Sequence, residues 1–137
     1  MIAPKNFIII LIATISVSAV IILNPFSENA DFSNFTFDAV YEKDSNSVSI
    51  TFVDTNEKSS FAVLEILGMG NTFHEEFEIH DSKFTKLVSL DKVPKYGWKT
   101  TPVTLEITYG ESIVYMKTEI YNEDQIPSTV IFSQNEL

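Results

Sequence analysis

Residues 103–115 read VTLEITYGESIVY, and this stretch decides the fold. Apolar side chains occupy every second position of its first half, at Val103, Leu105, Ile107 and Tyr109. Such alternation is typical of a β-strand buried on one face, because successive side chains of a strand point to opposite sides. Gly110-Glu111-Ser112 supplies a tight turn, after which Ile113 and Tyr115 resume the alternation. The stretch therefore predicts an antiparallel β-hairpin.

The same alternation recurs on both sides of this hairpin. The predicted strands cover residues 35–41, 48–52, 60–67, 72–80, 84–90, 103–109, 113–121 and 128–133. Residues 60–67, SFAVLEIL, are apolar on both faces, which predicts a central strand with little water on either side. No helical periodicity follows residue 27. The pattern therefore predicts an all-β antiparallel sandwich of about seven to eight strands, with barrel closure as the alternative.

The N-terminal segment differs from the rest of the chain. Residues 7–23, FIIILIATISVSAVIIL, form an uncharged run of 17 residues that ends at Asn24-Pro25. As a helix the run spans roughly 25 Å, close to the ~30 Å hydrocarbon core of a bilayer. The pattern predicts one transmembrane helix within residues 1–27, and a cleaved signal sequence is the alternative. A linker at residues 28–33 then leads to a β-domain at residues 34–137.

Charge is distributed unevenly along the chain. Residues 28–137 carry all 19 acidic residues against 8 lysines, a net charge of −11, whereas Lys5 is the one ionisable side chain before them. Because basic residues stay on the cytoplasmic side of an anchor, Lys5 predicts a cytoplasmic N-terminus and an extracytoplasmic domain in a single-pass cell-membrane protein. The acidic surface and the absence of arginine argue against nucleic acid as a partner. The absence of cysteine excludes disulfides, thiolate nucleophiles and zinc sites with cysteine ligands.

Both histidines of the chain lie in residues 74–80, HEEFEIH. Strand alternation places four ligand-type side chains on one face, at His74, Glu76, Glu78 and His80. Imidazole and carboxylate groups suit zinc or copper, so this face is a candidate metal site. His74 and His80 lie about 20 Å apart along a strand, so a neighbouring strand or a second chain would have to complete the ligand set. The alternative is a solvated edge strand whose charges discourage edge-to-edge pairing.

Acidic loops make calcium a second candidate cation, because calcium takes hard oxygen ligands. The loops are residues 44–46, 54–57 and 122–124. None of them has the glycine and distal glutamate of an EF-hand, so turn formation by Asp and Asn is the alternative. Asn34-Phe35-Thr36 is a glycosylation sequon, which is consistent with an extracytoplasmic domain and makes Asn34 a candidate modification site.

Residues 92–99, KVPKYGWK, place three lysines and the single tryptophan in one loop of an acidic domain. If the strands run alternately away from and towards the membrane, this loop falls at the membrane-far end with three other loops. An aromatic residue among lysines at an exposed end suits a protein partner or a glycan. The candidate partner-binding residues are Lys95, Tyr96, Trp98 and Lys99. The alternative is that Trp98 folds back to close the core.

Catalytic motifs are missing from the sequence. It holds no G-x-S-x-G elbow and no glycine-rich phosphate loop, since its four glycines are spread over residues 68–110. Glu75 and Glu76 are adjacent on a predicted strand, so they point to opposite faces and cannot cooperate in acid–base chemistry. The chain is therefore not expected to be an enzyme or to need a cofactor.

The size and strand spacing of residues 32–133 resemble immunoglobulin-like and fibronectin type III-like sandwiches. The arginine-free, lysine-containing composition with one N-terminal span also resembles small membrane-tethered proteins of ammonia-oxidising archaea. These features predict a membrane-tethered binding or structural accessory subunit. A hydrophobic N-terminal helix joined to a β-domain is also similar to archaeal pilins, so a surface-filament subunit is one alternative. A metal-binding extracytoplasmic module is the other.

Overall fold

The computed structural model describes residues 31–137, and this part of the chain forms nine β-strands and one short 3₁₀ helix. The strands are β1 (Phe35–Glu42), β2 (Ser47–Asp54), β3 (Ser59–Ile66), β4 (Phe73–Glu78), β5 (Lys83–Ser89), β6 (Pro102–Tyr109), β7 (Ser112–Glu119), β8 (Tyr121–Asn122) and β9 (Ile131–Glu136). The 3₁₀ helix η1 spans Trp98–Thr100, between β5 and β6.

These strands form two sheets. One sheet has the order β5-β2-β1-β8, and the other has the order β4-β3-β6-β7-β9. Neighbouring strands are antiparallel except β1 and β8, which run parallel where Val40 pairs with Tyr121. The predicted hairpin is confirmed as β6 and β7, and Gly110 makes the turn with a φ of 58°. That left-handed conformation is the one in which glycine meets no steric penalty.

The core lies between the two sheets and takes alternate residues from the strands, as the period-two pattern predicts. In β7 the buried residues are Val114 and Met116, so the predicted face at Ile113 and Tyr115 is the outer one. The side chains with 0% exposure include Val48, Ile50 and Phe52 of β2 and Ala62, Leu64 and Ile66 of β3. Each large apolar side chain buried in this way contributes about 1.5–3 kcal/mol to folding. Burial of alternate residues from both sheets therefore holds the domain together without a disulfide.

The strand order is compatible with an immunoglobulin-like sandwich. In the constant-type immunoglobulin domain, strands one, two, four and five form one sheet and strands three, six and seven form the other. Here β1, β2 and β5 share one sheet and β3, β6 and β7 share the other, but β4 pairs with β3. The described residues thus form an all-β two-sheet sandwich compatible with an immunoglobulin-like fold, and the predicted class is confirmed at that level.

The end of the chain differs from its prediction. One strand was expected over residues 113–121, but β7 ends at Glu119 and Ile120 turns into the core with 2% exposure. The next two residues, β8, join the opposite sheet beside β1. Residues 123–130 then lead back to the five-stranded sheet, where the last strand begins at Ile131 rather than at the predicted residue 128.

Residues 60–67 also differ from their prediction in one respect. β3 is an interior strand between β4 and β6, as expected for a central strand. Only one of its faces is fully buried, because Phe61 on the other face is 36% exposed. In the described part of the chain no second layer covers the outer side of the five-stranded sheet, so Phe61 and Val63 pack only against neighbours on that face.

An ion pair closes one side of the sandwich, where the edge strands β4 and β5 lie opposite each other. Lys86 Nζ lies 2.8 Å from Glu75 Oε1, although both side chains start from the core-facing sides of their strands. The same ammonium group lies 4.3 Å from the ring centroid of Phe77, whose ring meets that of Phe84 edge-on at 4.8 Å. These contacts join the two sheets across an edge that would otherwise stay open.

The predicted membrane anchor, residues 7–23, lies outside the described residues. Within residues 31–137 no helix is long and apolar enough to cross a bilayer.

Candidate functional site

Four loops meet at one end of the sandwich, which we call the loop end. Asn46, in the β1–β2 loop, donates through Nδ2 to the carbonyl oxygen of Leu90 at 2.7 Å. Trp98, in the β5–β6 loop, donates through Nε1 to Asn122 Oδ1 at 2.9 Å, which connects it to the segment after β7. The β3–β4 loop joins them through Gly68. The predicted placement of these loops at one end is therefore confirmed.

Gly68 lets two of these loops approach each other closely. Its φ is +76°, and a Cβ atom added there would lie 1.8 Å from the carbonyl oxygen of Thr100. Only a residue without a side chain fits between the β3–β4 loop and η1. Gly70, two residues later, has no neighbouring atom within 4 Å of such a Cβ. The two glycines thus have different structural roles.

Trp98 closes the core at the loop end. Its ring is half-buried against the core and lies 5.0 Å from the ring of Tyr41, centroid to centroid. Its indole N–H is satisfied by Asn122 at 2.9 Å. These contacts favour the alternative in which Trp98 folds back, so its main role is structural.

Tyr96 has the opposite environment. It is 82% exposed, and Lys95 Nζ lies 5.6 Å from its ring centroid. Lys95 and Lys99 are also exposed. Of the four predicted binding residues, the structure therefore presents Tyr96, Lys95 and Lys99 to solvent and turns Trp98 inward.

Two concavities flank Tyr96. The first, which we call the Trp98 groove, has a volume of about 910 Å³. It runs between Tyr96 and Trp98 on one side and the segment 119–126 on the other, with Tyr41 and Lys43 also in its wall. Three of the large apolar side chains that stand exposed in the described chain line this groove, at Val93, Tyr96 and Ile126.

The second concavity, which we call the Met69 groove, has a volume of about 640 Å³ and also has Tyr96 in its lining. Its apolar lining comes from Met69, Phe73, Val88, Leu90 and Pro94. Two exposed lysines, Lys92 and Lys95, contribute to its rim, where Asp91 is the single acidic residue.

The predicted histidine face is the outer face of the edge strand β4. Its members are largely exposed and form local pairs. His80 Nε2 lies 3.5 Å from Glu78, and His74 Nε2 lies 3.2 Å from Glu76. The neighbouring strand β3 adds a residue that the sequence pattern did not identify, because Glu65 lies 3.3 Å from His74 Nδ1. The imidazole thus contacts a different carboxylate through each nitrogen.

This arrangement favours a protonated imidazole. The hydrogen bond with Glu76 raises the pKa of His74, burial opposes this shift, and the hydrogen bond with Glu65 adds to it. Both nitrogens can donate together only in the charged form. In the described chain no group of three or more histidine or acidic residues is placed to hold a metal ion, so the metal site at His74, Glu76, Glu78 and His80 stays a prediction.

Glu106 lies beside this face, on β6. Burial raises the pKa of Glu106, and the charges of Glu65 and Glu76 raise it further. The central part of the outer sheet face is therefore short of positive charge.

The acidic loop at residues 54–57 has a clear structural role. Asp54 is 1% exposed and accepts hydrogen bonds from the backbone N–H groups of Asn56, Lys58 and Ser59, each at 2.9 Å. Ser59 Oγ and Asn34 Nδ2 also donate to it, at 2.7 Å and 3.2 Å. A carboxylate surrounded by N–H and O–H donors supports the turn interpretation for this loop rather than calcium binding.

The same contact bears on the predicted glycosylation of Asn34. Its side chain is half-buried, and Nδ2, the atom to which a glycan is attached, donates to Asp54. Glycosylation of Asn34 stays a prediction.

The sequence pattern missed several residues of the loop end. Tyr121 donates from its hydroxyl to Asp38 Oδ2 at 2.8 Å, and burial together with this carboxylate raises the pKa of Tyr121 to about 12. Asn122 and Ile126 lie in the segment after β7. Only the fold brings them into the same groove as Tyr96, so no local sequence signal could have identified them. The strand directions, by contrast, already predict Met69 at this end.

The resemblance to membrane-tethered archaeal proteins stays a prediction. No family model, no curated protein and no solved structure matches the chain.

Proposed function

We propose that this protein is a membrane-tethered extracytoplasmic binding subunit without enzymatic activity, and that it holds a protein partner at its loop end. The observation that carries the proposal is the exposure of Tyr96, at 82%, between two concavities. A large aromatic side chain that stands in water beside a groove is the type of residue that dominates binding energy in protein interfaces.

The framework under Tyr96 supports this proposal. Trp98, two residues away, is fixed by Tyr41 and Asn122, and the close contact at Gly68 fixes the neighbouring loop. A side chain presented by a fixed loop loses less conformational entropy on binding than one on a free loop. The loop end therefore combines an exposed anchor with a preorganised support.

Site-specific cross-linking in native membranes tests the proposal. A photoreactive phenylalanine analogue replaces Tyr96 in one variant and Leu87 in a matched control. Leu87, on edge strand β5, is 62% exposed and is not among the residues that line either groove. We expect one defined protein adduct from position 96 and none from position 87. Equal labelling at both positions, or no adduct at position 96, contradicts the proposed binding surface.

The tether is tested separately by the intact mass of the protein extracted from membranes. Retention of residues 7–23 is expected for an anchor. A mature chain that starts near Val20 or Asp31 contradicts the tether without bearing on the binding surface.

A further inference from the structure

The Met69 groove has a defined chemical preference. Its lining combines apolar side chains, among them Met69, Phe73 and Pro94, with polar ones, and its charged residues are Lys92 and Lys95 against Asp91. Within residues 31–137 neither lysine takes part in an ion pair. The groove is therefore complementary to a segment that presents an apolar side chain next to carboxylates.

The chain itself carries such a segment at the same end of the molecule. Residues 123–126 read Glu-Asp-Gln-Ile, and all four are exposed. Ile126 is 90% exposed, the highest value among the exposed large apolar residues of the described chain. Glu123 and Asp124 precede it and supply the two carboxylates.

The order of these features across the loop end permits mutual docking. The segment 123–126 lines the Trp98 groove, and Tyr96 is the one residue shared by the linings of the two grooves. The segment and the Met69 groove therefore belong to neighbouring concavities of the same end. A two-fold axis that passes near Tyr96 can bring the segment of each copy to the Met69 groove of the other.

We propose that the partner bound at the loop end is a second copy of this chain. The inference rests on the proposed function and names its partner. Ile126 of each copy enters the Met69 groove of the other, while Glu123 and Asp124 face Lys92 and Lys95. The two copies meet through their loop ends, and the two Tyr96 side chains lie near the axis.

The charge distribution favours this end of the molecule for self-association. Residues 28–137 carry a net charge of −11, so two copies repel each other over most of their surfaces. The two grooves together are lined by four lysines and four acidic residues, so their linings carry no net charge; the residues are Lys43, Lys92, Lys95, Lys99, Asp91, Glu119, Glu123 and Asp124. The repulsion is therefore weakest where the complementary features lie.

Disulfide trapping tests the proposal on a clean background, because the chain has no cysteine. Two full-length copies with different tags, one carrying Met69→Cys and the other Ile126→Cys, are co-purified in detergent and oxidised with copper phenanthroline. Leu87→Cys replaces Met69→Cys in the matched control. We expect the 69–126 pair to give at least about ten times more mixed disulfide than the 87–126 pair. Equal yields overturn the proposal.

A charge exchange gives a second test that leaves the core and the trapped residues untouched. Lys92→Glu with Lys95→Glu on the Met69→Cys copy should lower the trapped fraction at least about ten-fold. Glu123→Lys with Asp124→Lys on the Ile126→Cys copy should then restore it. An undiminished trapped fraction, or a loss that the second exchange does not restore, overturns the assigned contact.

The two proposals fail in distinguishable ways. A photoadduct at position 96 with a different protein, together with no 69–126 disulfide, overturns self-association and leaves the binding function intact. Absence of both products overturns the two proposals together. A photoadduct whose mass is twice that of the chain supports both.

Discussion

Asp54 shows how one side chain organises a turn. It accepts five hydrogen bonds although it is 1% exposed, and three of the donors are backbone N–H groups of the following loop. Burial works to raise the pKa of Asp54, but the hydrogen bonds from Ser59, Asn34 and Asn56 outweigh it, so the pKa lies below its usual value of 3.8. The folded state therefore favours the charged carboxylate.

We predict that Asp54→Asn lowers the free energy of unfolding by about 2–3 kcal/mol at about pH 7, because an amide N–H₂ would face N–H donors. A group with a lowered pKa stabilises the fold above its usual value and loses that effect as the pH falls through the lowered pKa. The difference between wild type and variant should therefore shrink in acid. Urea unfolding at several pH values measures it, and a difference that is constant with pH contradicts this role.

His74 should show the opposite pH dependence. Its pKa is raised, so its contacts with Glu76 and Glu65 stabilise the fold below its usual value of 6.5 and lose that effect as the pH rises through the raised pKa. Because half of the side chain is exposed, we predict that His74→Gln costs about 0.5 kcal/mol or less at about pH 5.5, and nothing at about pH 9. His80→Gln is the control, since His80 is 78% exposed and contacts Glu78 alone. Equal effects of the two changes on unfolding contradict the prediction.

At the scale of single residues, the sequence could place His74 and Glu76 on one face because strand alternation is a local property. It could not identify Glu65, which reaches His74 through the pairing of β3 with β4. The inward orientation of Glu75 followed from the same alternation, but its partner Lys86 depends on how the two sheets stack. The alternation therefore could not predict contacts between side chains that are distant in the sequence.

The loops of the loop end are elements with their own packing. Gly68 has a φ of +76° and no room for a Cβ beside Thr100, so we predict that Gly68→Ala destabilises the protein by about 2 kcal/mol or more. Gly70→Ala should change stability by less than about 0.5 kcal/mol, because its surroundings are open. Thermal unfolding of both variants checks this contrast. Similar losses for the two variants would show that the close approach is not the cause.

Trp98 supports the same group of loops. We predict that Trp98→Ala lowers the free energy of unfolding by about 2 kcal/mol, since it removes the contact with Tyr41 and leaves Asn122 without its donor. Tyr96→Ala, at a side chain 82% exposed, should change it by less than about 0.5 kcal/mol. Circular dichroism is the suitable measurement because Trp98 is the single tryptophan. A stable Trp98→Ala protein with impaired partner binding would reverse the roles assigned to the two residues.

At the scale of elements, the first seven strands follow from alternation and turn residues, with boundaries that differ by no more than two residues at any end. The path of the chain after β7 did not follow from the alternation. The pattern of apolar and polar residues continues through residues 120–122, but the chain leaves one sheet there and joins the other. Periodicity reports which side chains are buried and carries no information on which sheet buries them.

Over the whole molecule, the excess of negative charge opposes the compact state. Residues 28–137 carry −11, and four ion pairs form within the described chain, three of them with histidine. We predict that raising NaCl from about 20 mM to about 500 mM increases the free energy of unfolding by about 1 kcal/mol, or roughly 5 °C in Tm, because salt screens this repulsion. Thermal unfolding measures the shift.

Calcium chloride at matched ionic strength is the control for this effect. At equal ionic strength, screening alone predicts the same increase in the free energy of unfolding for both salts. A larger increase in the free energy of unfolding with calcium chloride at low concentration would indicate a specific calcium site. The acidic loops at residues 44–46 and 122–124 would then be its candidates.

The orientation of β1 has a mechanical consequence. Residue 31 and Leu137 both lie at the end opposite the loops, since Phe35 starts β1 there and Leu137 donates its backbone N–H to Glu111 in the β6–β7 turn. A force between residue 31 and Tyr96 therefore acts along the strands. It loads the pairing of β1 with β2, which extends from Phe35 opposite Asp54 to Glu42 opposite Ser47, in shear. Hydrogen bonds loaded in shear must rupture together rather than one after another, so the sandwich is oriented to transmit tension from its N-terminal end to whatever the loops hold.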